Sequence, residues 1–191
     1  MSLRISSDPM RYEIFPVSLF IGNVDSKKIK LTSEMGKAFL SETPSSFYTK
    51  NTLDPESDKY LMMVIAGLLK EKYQYFSINL KNIWKNRYTN NDFQEPHIHT
   101  DSSFSFIIYE KVGICHTIFY NPAKYLIEAT PGAGDSIAMQ HFKPQVRKGQ
   151  IIVFPSYIEH MVNKNSDQAT ISGNLNFKFI EGPVKKKEEE K

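Results

Sequence analysis

Residues 97–110 read His97-Ile98-His99-Thr100-Asp101-Ser102-Ser103-Phe104-Ser105-Phe106-Ile107-Ile108-Tyr109-Glu110, and this stretch indicates a chain built from β-strands. Its second half is rich in aromatic and β-branched side chains, which favour strands. In a strand, residues i and i+2 point to the same face, so His99 and Asp101 can bind one ion while Thr100 points away. The stretch therefore predicts a strand that ends in two potential metal ligands.

His160 supplies the third potential ligand, and the residues before it explain how it reaches the other two. A Lys148-Gly149 turn, the apolar run Ile151–Phe154 and a Pro155-Ser156 break precede it, so a distant strand folds back beside the first. Two imidazoles and one carboxylate hold one face of an octahedral Fe(II) and leave the opposite positions open. We therefore expect a metal site. The alternative is two unrelated surface histidines near an acidic loop residue.

His97 shares the strand face of His99. It is predicted to lie about 7 Å farther back, since a strand rises about 3.3 Å per residue. We therefore expect His97 to be a hydrogen-bonded residue of the pocket wall, and not a metal ligand. A spare ligand or a base beside the metal is the alternative role.

Short strands separated by turns continue through the second half of the chain. Eight such strands after N-terminal helices indicate a double-sheet jelly roll, whose interior is wide enough for one small ligand. We predict a mainly β protein with N-terminal helices and a cupin-like double-stranded β-helix. The predicted strands are Tyr75–Tyr88, His97–Asp101, Phe104–Glu110, Ile114–Tyr120, Ile137–Met139, Gln150–Phe154, His160–Asn163 and Thr170–Ile180.

The N-terminal part of the chain is predicted to support this roll. Tyr12–Gly22 alternates enough to be an edge strand, and Ser33–Ser41 indicates a short helix. Asp54-Pro55-Glu56 predicts a helix start, because an acid at the N-cap precedes proline at the first helical position. Apolar residues then recur at helical spacing to about Lys72. We expect this helix to lie on an outer face of a sheet.

The whole chain fits a single structural domain. We divide it into residues 1–74 with the edge strand and supporting helices, residues 75–180 with the double-stranded β-helix and the iron site, and residues 181–191 as a disordered charged tail. The formal net charge of +3 and the scarcity of arginine argue against a nucleic-acid partner. Cys115 is the single cysteine, which excludes an internal disulfide and suggests the cytoplasm. No segment is predicted to enter a membrane.

The stretch from Asn82 to Phe177 resembles the Fe(II)/2-oxoglutarate-dependent oxygenases, particularly small prolyl-hydroxylase-like members found in bacteria and tailed phages. The matching motifs are Trp84-Lys85-Asn86, His97–Ser102 with Ser105 and Tyr109, Gly149–Ser156, His160 and Ile171–Phe177.

The resemblance implies a role for each of these positions. It makes His99, Asp101 and His160 the catalytic iron ligands, and it places Tyr109 and the strand from Ser172 to Asn174 against 2-oxoglutarate.

The function that the resemblance implies is hydroxylation. The cofactor would be Fe(II), and 2-oxoglutarate and O2 would be consumed with release of succinate and CO2. A prolyl or other peptidyl side chain, or a small molecule, would carry the C–H bond, and a phage-encoded enzyme would act in the host cytoplasm. The alternative is a cupin-like metal or small-molecule binding module without oxygenase turnover. A metal-free structural jelly roll is a third possibility.

One departure from the family pattern concerns 2-oxoglutarate. The family usually places an Arg two residues before a Ser to hold the far carboxylate, but this sequence reads Thr170-Ile171-Ser172 and has no Arg after Arg147. His116 and Arg87 are the candidates to replace it, with hydroxyl groups of Ser172 and Tyr109 as further donors. The alternative for His116 is a core histidine that hydrogen-bonds to a neighbour.

Overall fold

The computed structural model describes residues 10–14, 17–32, 34–37, 43–47, 52–89, 91–113, 117–125, 140–165 and 167–182. Within these ranges the chain forms helix α1 (Pro55–Leu69), a short 3-10 turn (Ser26–Lys28) and a series of strands. In chain order, the strands are β1 (Met10–Ile14), β2 (Val17–Asn23), β3 (Leu31–Thr32), β4 (Gly36–Lys37), β5 (Pro44–Ser45), β6 (Thr52–Leu53), β7 (Phe76–Tyr88), β8 (Asp92–His97), β9 (Phe104–Lys111), β10 (Thr117–Tyr120), β11 (His141–Phe142), β12 (Gln150–Pro155), β13 (His160–Asn165) and β14 (Gln168–Phe179).

Two antiparallel sheets form the body of the protein. The larger sheet has the order β1-β2-β12-β9-β14-β7-β5-β4, and the smaller sheet has the order β11-β10-β13-β8. From β7 to β14 the chain passes repeatedly between the two sheets, so that non-consecutive strands become neighbours within each. This arrangement is a double-stranded β-helix, and the predicted fold is confirmed.

The strands of the larger sheet bury both of their faces. Ile151 and Val153 pack on one side with α1, whereas Ile152 and Phe154 pack on the other side between the sheets. The helix contributes a buried stripe to the outer layer, formed by Leu61, Ile65, Leu68 and Leu69. The position of α1 on an outer face agrees with the sequence prediction.

Gly22 permits the close approach of α1 to β2. A Cβ atom at this position would lie 2.6 Å from Cδ2 of Leu68, which is closer than real Cβ atoms come to their neighbours. The start of the helix also follows the prediction, since the carboxylate of Asp54 accepts hydrogen bonds from the backbone N–H groups of Glu56 and Ser57. The helix ends at Leu69, slightly earlier than predicted.

Several predicted boundaries differ from the structure. Tyr12–Gly22 is divided between β1 and β2, which pair with each other, and Gly36–Lys37 is a strand inside the segment predicted as a helix. A strand was predicted at His97–Asp101, but β8 covers Asp92–His97 and ends at the residue where the predicted strand begins. The predicted strand Ile137–Met139 lies outside the described residues. None of the described helices is long and apolar enough to cross a membrane.

The packing of α1 generates a stability prediction. Ile65→Ala removes a fully buried side chain and leaves a cavity beneath the helix, so the free energy of unfolding should fall by about 2–4 kcal/mol. Met63→Ala is the matched control on the same helix, because Met63 is 63% exposed and should change stability by less than about 0.5 kcal/mol. Urea denaturation measures both values. Equal effects of the two substitutions would contradict the assigned helix face.

Candidate metal centre

Three histidines meet at one end of the roll. His97 ends β8 and lies opposite His160, the first residue of β13, in the smaller sheet. His99 follows β8 in a loop, where its backbone N–H donates to the carbonyl of Ser156 at 2.9 Å. Potential ligand atoms of the three side chains lie within 4.8 Å of one another. Strand pairing places two of these rings, and a loop hydrogen bond places the third.

Each of the three rings donates one hydrogen bond that fixes its tautomer. Nδ1 of His97 donates to the carbonyl of Glu95 at 2.6 Å, and Nδ1 of His160 donates to the carbonyl of Ile158 at 2.9 Å. Nδ1 of His99 donates to Oδ1 of Asn174 at 2.5 Å. Because these oxygens can only accept, Nδ1 carries the proton in each ring. The lone pair of Nε2 therefore remains for a metal ion in all three neutral imidazoles.

The surroundings of the cluster keep the imidazoles neutral. Burial lowers the pKa of His160 well below its ordinary value, and the neighbouring histidines lower it further. Burial also lowers the pKa of His99 to about 4, against the raising effect of its hydrogen bond to Asn174, and it lowers the pKa of His97. Aromatic rings cause much of this burial: Phe154 lies 4.8 Å from His160, and Trp84 lies 5.6 Å from His99, between ring centroids. Neutral imidazole is the form that binds metals.

A chain of hydroxyl groups holds Asn174 in place behind His99. Oδ1 of Asn174 also accepts from the hydroxyl of Ser105 at 2.7 Å, and Ser105 hydrogen-bonds to Ser156 at 2.8 Å. Ser102 donates to Ser156 at 2.9 Å. Asn174 lines the pocket. The sequence did not reveal its contact with His99, which orients a ligand ring.

Asp101, which the sequence analysis expects to be a metal ligand, lies outside the cluster of three histidines. Its side chain is 90% exposed and forms an ion pair with Lys81, which also donates to the backbone carbonyl of Asp101. The reason is local: β8 ends at His97, and Asp101 has a φ of 62°, so strand alternation does not extend from His99 to Asp101. The structure instead places His97 beside His160, at 4.3 Å between ring centroids. The His97-Ile98-His99 spacing carried this signal in the sequence.

The structure places the other predicted residues as follows. Ser172 lines the pocket together with Asn174. Tyr109 is fully buried and is not among the residues that line the pocket. Its hydroxyl hydrogen-bonds at 2.7 Å to Thr117, which does line the pocket. Burial raises the pKa of Tyr109 to about 12, so it is a neutral hydroxyl. Arg87 is exposed and is not among the lining residues, whereas its neighbour Asn86 is. His116 lies outside the described residues.

The histidines open into a pocket between the two sheets. Its volume is about 420 Å³, which suits a small ligand. Phe47 and Trp84 pack edge to face at 5.0 Å and lie in the pocket wall with the exposed Ile98. Phe47, Trp84 and Ile98 form an apolar part of the pocket wall, which we call the aromatic ledge. The pocket therefore contains both the three potential metal ligands and this ledge.

Residues 82–174 match the family described as "Putative 2OG-Fe(II) oxygenase". This match supports the 2OG-Fe(II) oxygenase superfamily, which the sequence motifs also suggested. No curated protein matches the sequence.

Solved structures of similar shape include two bacterial proteins and a viral one. An oxidoreductase of the 2OG-Fe(II) oxygenase family from Burkholderia pseudomallei is 12% identical, with a TM-score of 0.49 over 83% of this chain and 68% of that chain. A prolyl-4-hydroxylase from Pseudomonas putida is 13% identical, with a TM-score of 0.47 over 75% and 77% of the two chains. The viral collagen prolyl hydroxylase of Paramecium Bursaria Chlorella virus-1 is 12% identical, with a TM-score of 0.39 over 66% and 70%.

The lowered pKa of the histidines predicts acid sensitivity of the metal-free protein. His99 has a folded pKa of about 4, below the value of about 6.5 in an unfolded chain, so the unfolded state binds protons more readily. Stability should be complete above pH 6.5 and should fall as the pH drops toward 4, by about 2 kcal/mol at pH 5 from His99 alone. Thermal unfolding in the presence of a chelator measures the loss.

Two variants serve as comparisons for this acid effect. His99→Gln removes the titrating group, so the decline in melting temperature between pH 7.5 and 5 should become shallower. His141→Gln changes an exposed histidine outside the cluster and should keep the wild-type profile. A profile that is equally steep in His99→Gln would contradict a buried neutral His99.

Proposed function

We propose that this protein is an Fe(II)- and 2-oxoglutarate-dependent hydroxylase whose iron is held by His97, His99 and His160. One observation carries the proposal: all three Nδ1 atoms are occupied by oxygen acceptors, so three Nε2 lone pairs are available at one end of a pocket. His99 and His160 are the ligands expected from the sequence, and His97 takes the place expected for Asp101.

The donor set fits the proposed metal. Imidazole nitrogens suit iron as well as zinc, copper and nickel, and three protein ligands leave positions open for other molecules. When bound, Fe(II) supplies the oxidative decarboxylation in which 2-oxoglutarate, O2 and a C–H bond give succinate, CO2 and a C–OH group.

The residues of the chain orient and protect the proposed site. The acceptors Glu95, Ile158 and Asn174 fix the three imidazole rings in the metal-binding tautomer, so no proton has to move within the rings before binding. Phe119 and Phe154 pack against His160 and exclude water from the inner side of the cluster.

The substrate that we propose is a prolyl or other peptidyl side chain. The aromatic ledge supports this choice, because the ring centroids of Trp84 and His99 lie 5.6 Å apart. Phe47 packs against Trp84 and is 43% exposed. An apolar ring that stacks on Phe47 and Trp84 would hold its C–H bonds next to the histidines. A ledge at the edge of a pocket can also receive a side chain that belongs to a longer peptide.

Substitution of each potential ligand tests the proposed metal centre. His97→Ala, His99→Ala and His160→Ala should each weaken Fe(II) binding by more than about 100-fold, since loss of even an outer partner of a ligand costs about 10–100-fold. Asp101→Asn keeps the size of a residue outside the cluster and should change the affinity by less than about threefold, because exposed ion pairs contribute little. Anaerobic titration against a competing chelator measures these affinities.

Two results would overturn parts of this proposal. If Asp101→Asn loses iron while His97→Ala keeps it, the carboxylate is the third ligand and the three-histidine assignment is wrong. If the wild type binds Fe(II) but shows neither the visible charge-transfer band on adding 2-oxoglutarate nor succinate production, the protein is the metal-binding module that the sequence also allowed.

A further inference from the structure

Strand β7 changes at Lys81 which of its alternate residues face the pocket. From Asn82 to Tyr88 the even-numbered residues line the pocket. Before Lys81 the even-numbered residues pack in the layer of α1 instead; these are Phe76, Ile78 and Leu80. The partner strand β14 keeps one alternation throughout, with its even-numbered residues in the pocket wall as far as Asn174 and with Leu175 in the helix layer. The change of face therefore belongs to β7 alone.

A β-bulge at Lys81 explains this change. Asn174 lies opposite Asn82 in the sheet register, and the next residue of β14, Leu175, lies opposite Leu80, so Lys81 is the extra residue of β7. A bulge redirects the side chain of the inserted residue, and bulges are frequent beside active sites. Here two consecutive residues, Lys81 and Asn82, line the pocket. The bulge thus brings a lysine to a wall that regular alternation would have denied it.

The bulge lies close to both the aromatic ledge and the histidine cluster. Trp84 of the ledge follows Lys81 by three residues, which is about 10 Å along the strand. Asn174, which hydrogen-bonds to His99, is paired with the residue after Lys81. Nζ of Lys81 donates to the backbone carbonyl and to the carboxylate of Asp101, two residues after His99. The lysine therefore lies near the place where a ring on the ledge would meet the metal centre.

The ion pair of Lys81 is one that a ligand can replace. The side chain of Asp101 is 90% exposed, whereas that of Lys81 is 29% exposed. Exposed ion pairs contribute little to stability, so Asp101 can return to water at a small cost. Glu95 is a second charged side chain of the wall, but it lies on β8 in the smaller sheet, whereas Lys81 and Trp84 share β7. A ligand carboxylate beside the ledge would thus form a charge-assisted hydrogen bond with Lys81.

We propose that Lys81 is a specificity-determining residue, which binds a carboxylate of the substrate next to the apolar ring held by the ledge. In the structure the carboxylate of Asp101 holds this place, and it gives way when the substrate binds. The inference rests on the proposed function and narrows its substrate class to anionic peptides. The carboxylate belongs either to the hydroxylated residue itself, as the C-terminal residue of a peptide, or to an acidic side chain that follows it.

Two pairs of matched peptides test the inference and distinguish these sources. The first pair is acetyl-Ala-Ala-Pro as the free acid and as the amide, and the second is acetyl-Ala-Pro-Glu-Ala-amide and its Gln analogue. Calorimetric titration measures binding to the Mn(II)-loaded protein without turnover. Saturation with 2-oxoglutarate fills the open metal positions, so the peptide carboxylate does not bind the metal. We expect the acid to bind at least tenfold more tightly than its neutral analogue in one of the pairs, and that pair identifies the source.

Variants connect this preference to Lys81. Lys81→Met removes the charge and should reduce the preference for the acid to less than threefold, whereas Lys81→Arg keeps a cation and should retain more than threefold. Lys85→Met is the matched control, because Lys85 lies on the same strand, is 33% exposed and pairs with Glu110, but does not line the pocket. It should keep the wild-type preference. Asp101→Asn removes the competing carboxylate and should bind the acid at least threefold more tightly than the wild type does.

The outcomes separate this inference from the proposed function. If the wild type binds 2-oxoglutarate but prefers the acid in neither pair, or binds none of the four peptides, the role of Lys81 is overturned and the metal centre stands. The same holds if Lys81→Met keeps the preference or weakens both members of a pair equally, or if Asp101→Asn does not tighten binding of the acid. If the Mn(II)-loaded wild type does not bind 2-oxoglutarate, the proposed function fails, and this inference fails with it.

Discussion

The long strands of the larger sheet present one face to α1 and the other to the pocket, and the site depends on this alternation. Along β14, Ile171 packs in the helix layer, whereas its neighbours Thr170 and Ser172 line the pocket. A shift of the register by one residue would exchange these two faces. The apolar packing beneath α1 therefore determines which polar groups face a ligand, even though no residue of the helix lines the pocket.

The features that the sequence predicted correctly depend on local patterns. The strands of the roll follow from runs of β-branched and aromatic residues, and the start of α1 follows from the Asp54 cap. The course of the chain after His97 depends on contacts between distant residues. His99 is fixed by the carbonyl of Ser156, and Asp101 by Lys81 together with a positive φ. A strand pattern extended through these residues predicts the carboxylate beside His99, whereas the side chain of Asp101 is exposed and pairs with Lys81.

The far end of the pocket is a second place where the sequence alone does not determine which side chain faces a ligand. The absence of an arginine after Arg147 is visible in the sequence, but the group that replaces it is not. Asn86 and Arg87 are neighbours on β7, and only the direction of the strand faces decides that the amide, and not the guanidinium, lines the pocket. Charge and hydrogen-bonding capacity favoured Arg87 as the anchor, but its side chain does not line the pocket.

The position of Asp101 determines where positive charge lies in the pocket. Three neutral imidazoles would leave a divalent ion with its full charge, whereas an aspartate ligand would reduce the net charge of the centre by one. Movement of Asp101 to the metal would also break its ion pair with Lys81 and leave a free cation beside the pocket. A three-histidine set would therefore keep both the full charge of the metal ion and the ion pair of Asp101 with Lys81, and an anionic ligand would meet its counter-charge at the metal.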